Sequence, residues 1–127
     1  NILTKTIVEL FKNCNFIQIH GFNIDKWKTN QKLKQITTKN IIIASSGKNK
    51  TWHFTGDYIK DIDLRILSYP TEIDILAGTQ NATLSVLKNT DAKFYHLELS
   101  NELRTLLNSD KNKNVFLIDF INKKLIK

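Results

Sequence analysis

The sequence predicts an α/β fold in which an N-terminal β-meander precedes β/α units on a mixed sheet of about five strands. Residues 72–79 contain a short, nearly continuous apolar run that is entered from Pro70 and left through Gly78-Thr79, which is typical of a buried central strand. Apolar positions spaced by three and four residues on both sides of this run indicate helices. Residues 16–44 contain short alternating or β-branched runs, which favour strands.

The first half of the chain is predicted to be the meander. Phe16–His20 alternates apolar and polar residues, and Gly21 before Phe22–Ile24 predicts a hairpin or a bulged strand pair. Asn40–Ala44 is β-branched and predicts a strand. The other predicted elements are a helix or strand at Thr4–Lys12, a loop at Asp25–Asn30 around Trp27, a strand at Lys32–Ile36, a turn at Ser45–Lys50 and a strand at Thr51–Phe54.

From residue 57 onward, helices and strands are predicted to alternate. Asp57 is a candidate cap for a helix over residues 57–67, because Ile59, Ile62 and Ile66 have helical spacing. The elements predicted after it are the central strand 73–77, a helix from Thr79 or Asn81, a strand at Lys93–Leu99, a helix capped by Ser100, a loop at Asn108–Asn114 and a strand at Val115–Phe120. We expect a mobile tail over residues 121–127.

Length and composition predict a single domain over residues 1–127, with its core at about residues 16–120. Cys14 is the only cysteine, so no intrachain disulfide forms, and its apolar neighbours favour a buried thiol. The three histidines lie in separate strand patterns without metal-ligand spacing. No metal, cofactor or catalytic residue is therefore predicted.

The chain is basic, with a formal net charge of +7, which raises nucleic acid as a partner. Only Arg65 and Arg104 are arginine, the residue preferred for bidentate recognition of phosphates and base edges. The lysines are scattered and form no long basic block. A solvated lysine surface is therefore favoured over nucleic-acid binding.

One turn of the predicted fold is a candidate ligand site. Gly78–Asn81 joins a strand to a helix, where backbone N–H groups can hold an anion. The predicted site residues are Thr79, Gln80, Ser100 and Arg104, with Arg104 as the natural partner of an anion. A tight connection without a ligand explains the same residues.

Several short motifs resemble those of the Mth938-like domain, which occurs in archaea and bacteria and in the mitochondrial complex I assembly factor 3 family. They are the Gly21–Ile24 segment, the strand Asn40–Ala44 leading to Trp52, Pro70 before the strand 73–77 and Gly78-Thr79-Gln80, and Arg104-Thr105 before Val115–Phe120. Gln80 replaces the second glycine of the family's turn, and the residues around Arg104 differ from the family's pattern.

The resemblance implies a three-layer α/β fold and a non-catalytic assembly or interaction protein. Its partner would be an assembly factor or a subunit of a respiratory complex, in the mitochondrial matrix or the bacterial cytoplasm. Two alternatives remain open from the residues. One is a small-anion or enzymatic domain with its site at Gly78-Thr79 and Arg104, and the other is a basic component of an organellar ribonucleoprotein.

Overall fold

A five-stranded mixed sheet organises residues 15–46, 57–76 and 93–125, which are the ranges that this computed structural model describes. The strands are β1 (Asn15–Phe22), β2 (Asn40–Ser46), β3 (Tyr58–Ile59), β4 (Leu64–Ser68) and β5 (Lys93–Ser100). Their order in the sheet is β1-β5-β2-β4-β3. β1 runs parallel to β5 and β2 parallel to β4, whereas the β2–β5 and β3–β4 pairs are antiparallel. This mixed sheet confirms the predicted α/β class.

Two helices cover one face of the sheet. α2 (Asn101–Ser109) follows β5 directly, and α3 (Lys111–Leu125) follows α2. Leu103 and Leu117 of these helices are buried in a cluster with apolar residues of β2, β4 and β5. Each helix contributes an apolar stripe, so burial of that stripe holds the helix on the sheet.

Two short helices between β1 and β2 lie at the opposite face. They are a 3₁₀ helix (Ile24–Trp27) and α1 (Gln31–Lys34). Leu33 of α1 and Ile73 join Ile41 and Ile43 of β2 in a second buried cluster. β2 is therefore apolar on both faces, as its β-branched run requires.

The predicted meander is wrong, because β5 lies between β1 and β2. The expected hairpin at Gly21 is also absent from the described ranges: β1 continues to Phe22, and the 3₁₀ helix follows. Lys32–Ile36 is not a strand. The Asn30 side chain accepts hydrogen bonds from the backbone N–H groups of Lys32 and Leu33, at 3.0 and 3.1 Å, and so begins α1.

The helix predicted over residues 57–67 is replaced by two strands joined by a 3₁₀ helix (Lys60–Ile62). Leu64 and Ile66 are buried on the face that α2 and α3 cover. Their spacing of two is the strand period, which prevails over the helical spacing of the neighbouring isoleucines. Asp63, in the left-handed region with φ 48°, turns the chain into β4.

The predicted central strand is a turn in its described part, residues 72–76. The Glu72 N–H donates to the Ser68 carbonyl at 2.8 Å, and its carboxylate accepts from the Ser68 N–H at 3.1 Å. Leu76 has φ 60°, which no strand adopts. Ile73 is buried without belonging to a strand, so its apolar character reflects packing against β2 and β4.

The final predicted strand, Val115–Phe120, is also wrong and belongs to α3. Asp110 begins this helix, because its carboxylate accepts from the N–H groups of Asn112 and Lys113 at 3.1 and 3.2 Å. The predicted loop 108–114 thus shrinks to a break at Asp110, and residues 121–125 of the predicted tail continue α3.

The strands predicted at Phe16–His20, Asn40–Ala44 and Lys93–Leu99 are confirmed, as is the helix capped by Ser100. The predicted elements at Thr4–Lys12 and Thr51–Phe54 and the helix from Thr79 or Asn81 lie outside the described residues.

We predict that Ser100→Ala lowers the free energy of unfolding by about 2–4 kcal/mol. The substitution removes the cap of α2 and leaves the buried Ile41 N–H without its acceptor, which lies at 3.1 Å. Urea unfolding measures the change as a lower midpoint at an unchanged slope. Ser109→Ala is the control, since this exposed serine makes one bond within α2 and should change stability by less than about 0.5 kcal/mol. Equal midpoints for the two variants would contradict the assigned role of Ser100.

Candidate functional site

The four residues predicted to form a ligand site have different surroundings. Thr79 and Gln80 lie outside the described residues. Ser100 is fully buried, and its hydroxyl donates to the Lys39 carbonyl at 2.7 Å while accepting from two backbone N–H groups. A hydroxyl has one donor and two acceptor positions, so Ser100 has none left for a ligand.

Arg104 is exposed on α2 and lies over the end of β1. An ideal Cβ on Gly21 would approach the Arg104 Cζ to 2.5 Å, so the guanidinium occupies the space that a side chain at residue 21 would fill. One guanidinium nitrogen donates to the Phe22 carbonyl at 3.5 Å, which is a long hydrogen bond. Arg104 therefore helps to hold α2 against β1.

The opposite face of the sheet carries a cluster of ionisable side chains that the sequence did not predict. We call His20, His96 and Glu98 the His–Glu cluster. β1 and β5 pair so that His20 lies beside Glu98, and His96 and Glu98 share a face because alternate residues of a strand do. The rings of His20 and His96 stack with centroids 5.0 Å apart. His96 Nε2 lies 3.8 Å from Glu98 Oε2.

Burial dominates the electrostatics of this cluster. His96 is 3% exposed and Glu98 8% exposed. Burial and then the charge of His20 lower the pKa of His96 below its usual value. Burial raises the pKa of Glu98, against the opposing effects of His20 and Arg104. Both shifts favour the uncharged forms, and 3.8 Å is too long for a hydrogen bond, so this contact is not a strong ion pair.

His96 Nδ1 is buried and has no hydrogen-bond partner among the described residues. A buried polar atom without a partner costs stability, so this nitrogen marks where a polar ligand atom would be bound most favourably. Two imidazoles and one carboxyl can hold or transfer a proton. Within residues 15–46, 57–76 and 93–125, however, no group of three or more such side chains is arranged to bind a metal ion.

The sequence carried a weak signal for this cluster. His20 and the His96–Glu98 pair each occupy polar positions in predicted strands, at the spacing that keeps a strand's side chains on one face. Their proximity depends on the parallel register of β1 and β5, which join residues about 80 apart in sequence. His53, the third histidine, lies outside the described residues.

β1 also exposes apolar side chains on the face where the helices pack. Ile17 is 41% exposed and Ile19 61% exposed. Their register partners on β5, Tyr95 and Leu97, are buried beneath α2 and α3. The helices therefore cover β5 but leave these two residues, the β1 isoleucines, open to solvent at the edge of the described sheet.

Comparisons with known proteins identify no relatives: no family model, no curated protein and no solved structure matches this chain. Within the part of the chain that the structure describes, every helix is too short or too polar to cross a lipid bilayer.

We predict that Glu98→Gln becomes more stable relative to the wild type as the pH rises from about 4.5 towards neutrality. The raised pKa of Glu98 means that its contribution is fully present below the unfolded value of 4.5 and is lost as the pH rises through the folded value. Glutamine cannot ionise, so the variant lacks this loss. Urea unfolding between pH 4 and 8 measures the difference in the free energy of unfolding between variant and wild type. Glu102→Gln, at an exposed position, is the control.

His96→Gln should show the opposite dependence. Because the pKa of His96 is lowered by burial, the wild type loses stability as the pH falls below 6.5, where the unfolded chain takes up the proton first. The variant should lack this acid-side loss. Parallel pH profiles for wild type and both variants would refute the described environment of the His–Glu cluster.

Proposed function

We propose that this protein is a non-catalytic assembly or scaffold protein that binds a partner protein through the edge of its sheet at β1. The observation that carries the proposal is the exposure of the β1 isoleucines on an eight-residue strand at the edge of the described sheet. Edge strands are common sites for the addition of a partner's strand, whose side chains then meet the exposed apolar residues.

Burial of the β1 isoleucines by a partner would contribute substantially to the free energy of binding. Full burial of an isoleucine contributes about 1.5–3 kcal/mol, and the two residues are 41% and 61% exposed. A partner that covered both would gain roughly 1.5–3 kcal/mol from them, which corresponds to about a 10- to 150-fold change in Kd. Backbone hydrogen bonds from an added strand would supply orientation as well as further affinity.

The resemblance to the Mth938-like domain gives this proposal a candidate partner class and compartment. The partner would be an assembly factor or a subunit of a respiratory complex, in the mitochondrial matrix or the bacterial cytoplasm. Two stretches that support the resemblance have a different secondary structure here: Gly21–Ile24 is no hairpin, and Val115–Phe120 is helical. The proposal therefore depends on the β1 isoleucines, and membership of the Mth938-like family is itself part of the proposal.

We predict that the double substitution Ile17→Thr/Ile19→Thr lowers capture of the partner by about 10- to 150-fold while the protein stays folded. Threonine keeps the β-branch that suits a strand but removes the apolar surface. The measurement is a pull-down of the tagged protein from its own cells at moderate salt, with quantitative mass spectrometry of wild type and variant.

Val115→Gln/Ile118→Gln is the matched control. Val115 and Ile118 are 66% and 56% exposed on α3, so the double substitution removes a similar apolar area from a different element. Partners that the control retains and the β1 variant loses would support the proposal. Equal retention by both variants, or a wild-type protein that retains no partner, would contradict it.

A further inference from the structure

The connection between β1 and β2 forms a pocket that the proposed partner surface does not include. Asn23 caps the 3₁₀ helix by accepting from the Asp25 N–H at 3.0 Å. The Ile24 N–H donates to the Asn101 side chain of α2, also at 3.0 Å. Asn30 caps α1, as described above. These bonds fix the connection against the sheet end where β1 and β5 finish and β2 begins.

This connection borders a pocket of about 250 Å³ that is open to solvent and partly lined by apolar residues. Four of its lining residues belong to or pack against the buried cluster beneath: Ile24, Trp27, Leu33 and Ile36. Trp27 is half-buried, so part of its indole is accessible from the pocket. Sites for drug-sized ligands are usually about 300–1,000 Å³, so this smaller pocket suits a single ring system rather than a large cofactor.

Lysines form the rim, and we call this site the lysine-rimmed pocket. Lys28, Lys34 and Lys39 line it together with one acid, Asp25. An adjoining pocket of about 280 Å³ shares Ile36, Thr37 and Thr38 with it and adds Lys32 and Arg65.

Two carboxylates lie near these cations: Asp25 lines the lysine-rimmed pocket, and Asp63 Oδ2 lies 3.0 Å from the hydroxyl of Thr38, which lines both pockets. Arg65 lies 3.7 Å from Glu72, whereas none of the four lysines forms an ion pair with a residue of the described ranges. Four lysines within residues 28–39 therefore line two adjoining pockets, one of which also contains the accessible ring of Trp27.

We propose that the lysine-rimmed pocket binds single-stranded nucleic acid, with one base stacked on Trp27 and the flanking phosphates on the lysines. Proteins that bind single strands combine a basic groove with an aromatic ring on which a base stacks, and such stacking tolerates any base. Lysine serves as a point charge for phosphate, whereas bidentate reading of base edges uses arginine. One arginine among five cations therefore points to binding without sequence preference. An acidic peptide would match the charge but would not need the accessible indole.

The first test is fluorescence anisotropy with a labelled 12-nucleotide oligo(dT), titrated at 50 to 200 mM salt. Phosphate contacts of the three lysines of the pocket and of the adjoining Lys32 predict that the logarithm of the binding constant falls with the logarithm of salt concentration. The slope should be about −3, since each contact contributes about −0.7 for single strands. The triple variant Lys28→Gln/Lys34→Gln/Lys39→Gln should bind more weakly, with its slope reduced in magnitude by about 2.

The matched control is Lys60→Gln/Lys111→Gln/Lys123→Gln, which removes the same net charge from exposed lysines that do not line either pocket. Its slope should equal that of the wild type. Trp27→Leu keeps the pocket apolar but removes the stacking surface, so affinity should fall roughly 5- to 150-fold with an unchanged slope. Circular dichroism establishes that each variant is folded.

Equal slopes for the two triple variants would overturn the proposal, because attraction would then follow net charge alone. Absence of binding by the wild type at 50 mM salt would overturn it too. Displacement of the oligonucleotide by poly-glutamate, together with undiminished affinity in Trp27→Leu, would instead assign the surface to acidic protein segments. None of these results depends on the β1 isoleucines, so the two proposals fail separately.

Discussion

One buried hydroxyl joins the main parts of this structure. Ser100 ends β5 and caps α2, and it also bonds the backbone on both sides of Asn40, the first residue of β2. Its register partner on β1 is Phe22, the last residue of that strand. Ser100 therefore links the end of β5, the start of α2 and the start of β2. All of its donor and acceptor positions are used in these bonds. The connection that forms the lysine-rimmed pocket begins directly after Phe22, so its position depends on the same junction.

The sequence predicted elements correctly where the signal was local. The β-branched run of β2, the alternation in β1 and the serine at the start of α2 each specify their element without help from distant residues. It failed where an apolar run suits either a helix or a strand. Val115–Phe120 has the composition of a strand, but Asp110 begins a helix before it, and Leu117, Phe120 and Ile121 then face the core at helical spacing.

Strand order was not predictable because it depends on contacts between distant residues. Nothing near β1 or β2 indicates that β5, more than 45 residues further on than either, lies between them. The His–Glu cluster was not predictable for the same reason, since only the parallel register of β1 and β5 brings His20 to Glu98.

Of the predicted site residues, Ser100 has a structural role, and Arg104 contributes to the packing of α2 on β1. The lysine-rimmed pocket was not predictable for a different reason. Its lysines occur close together in sequence, but the turns at Asn23 and Asn30 are needed to bring them to one surface.

The His–Glu cluster conflicts with the composition of the rest of the sheet. At the positions of His96 and Glu98, apolar side chains would avoid the desolvation of two ionisable groups and of an unpaired ring nitrogen. The buried residues of β2 and β4 are apolar except for Ser45 and Ser68, so the buried ionisable side chains of the described sheet are confined to the part beside β1. Departures from local rules in otherwise consistent folds concentrate at functional positions. Taken with the β1 isoleucines on the other face, this places the sheet's unusual features along a single edge, where β1 meets β5.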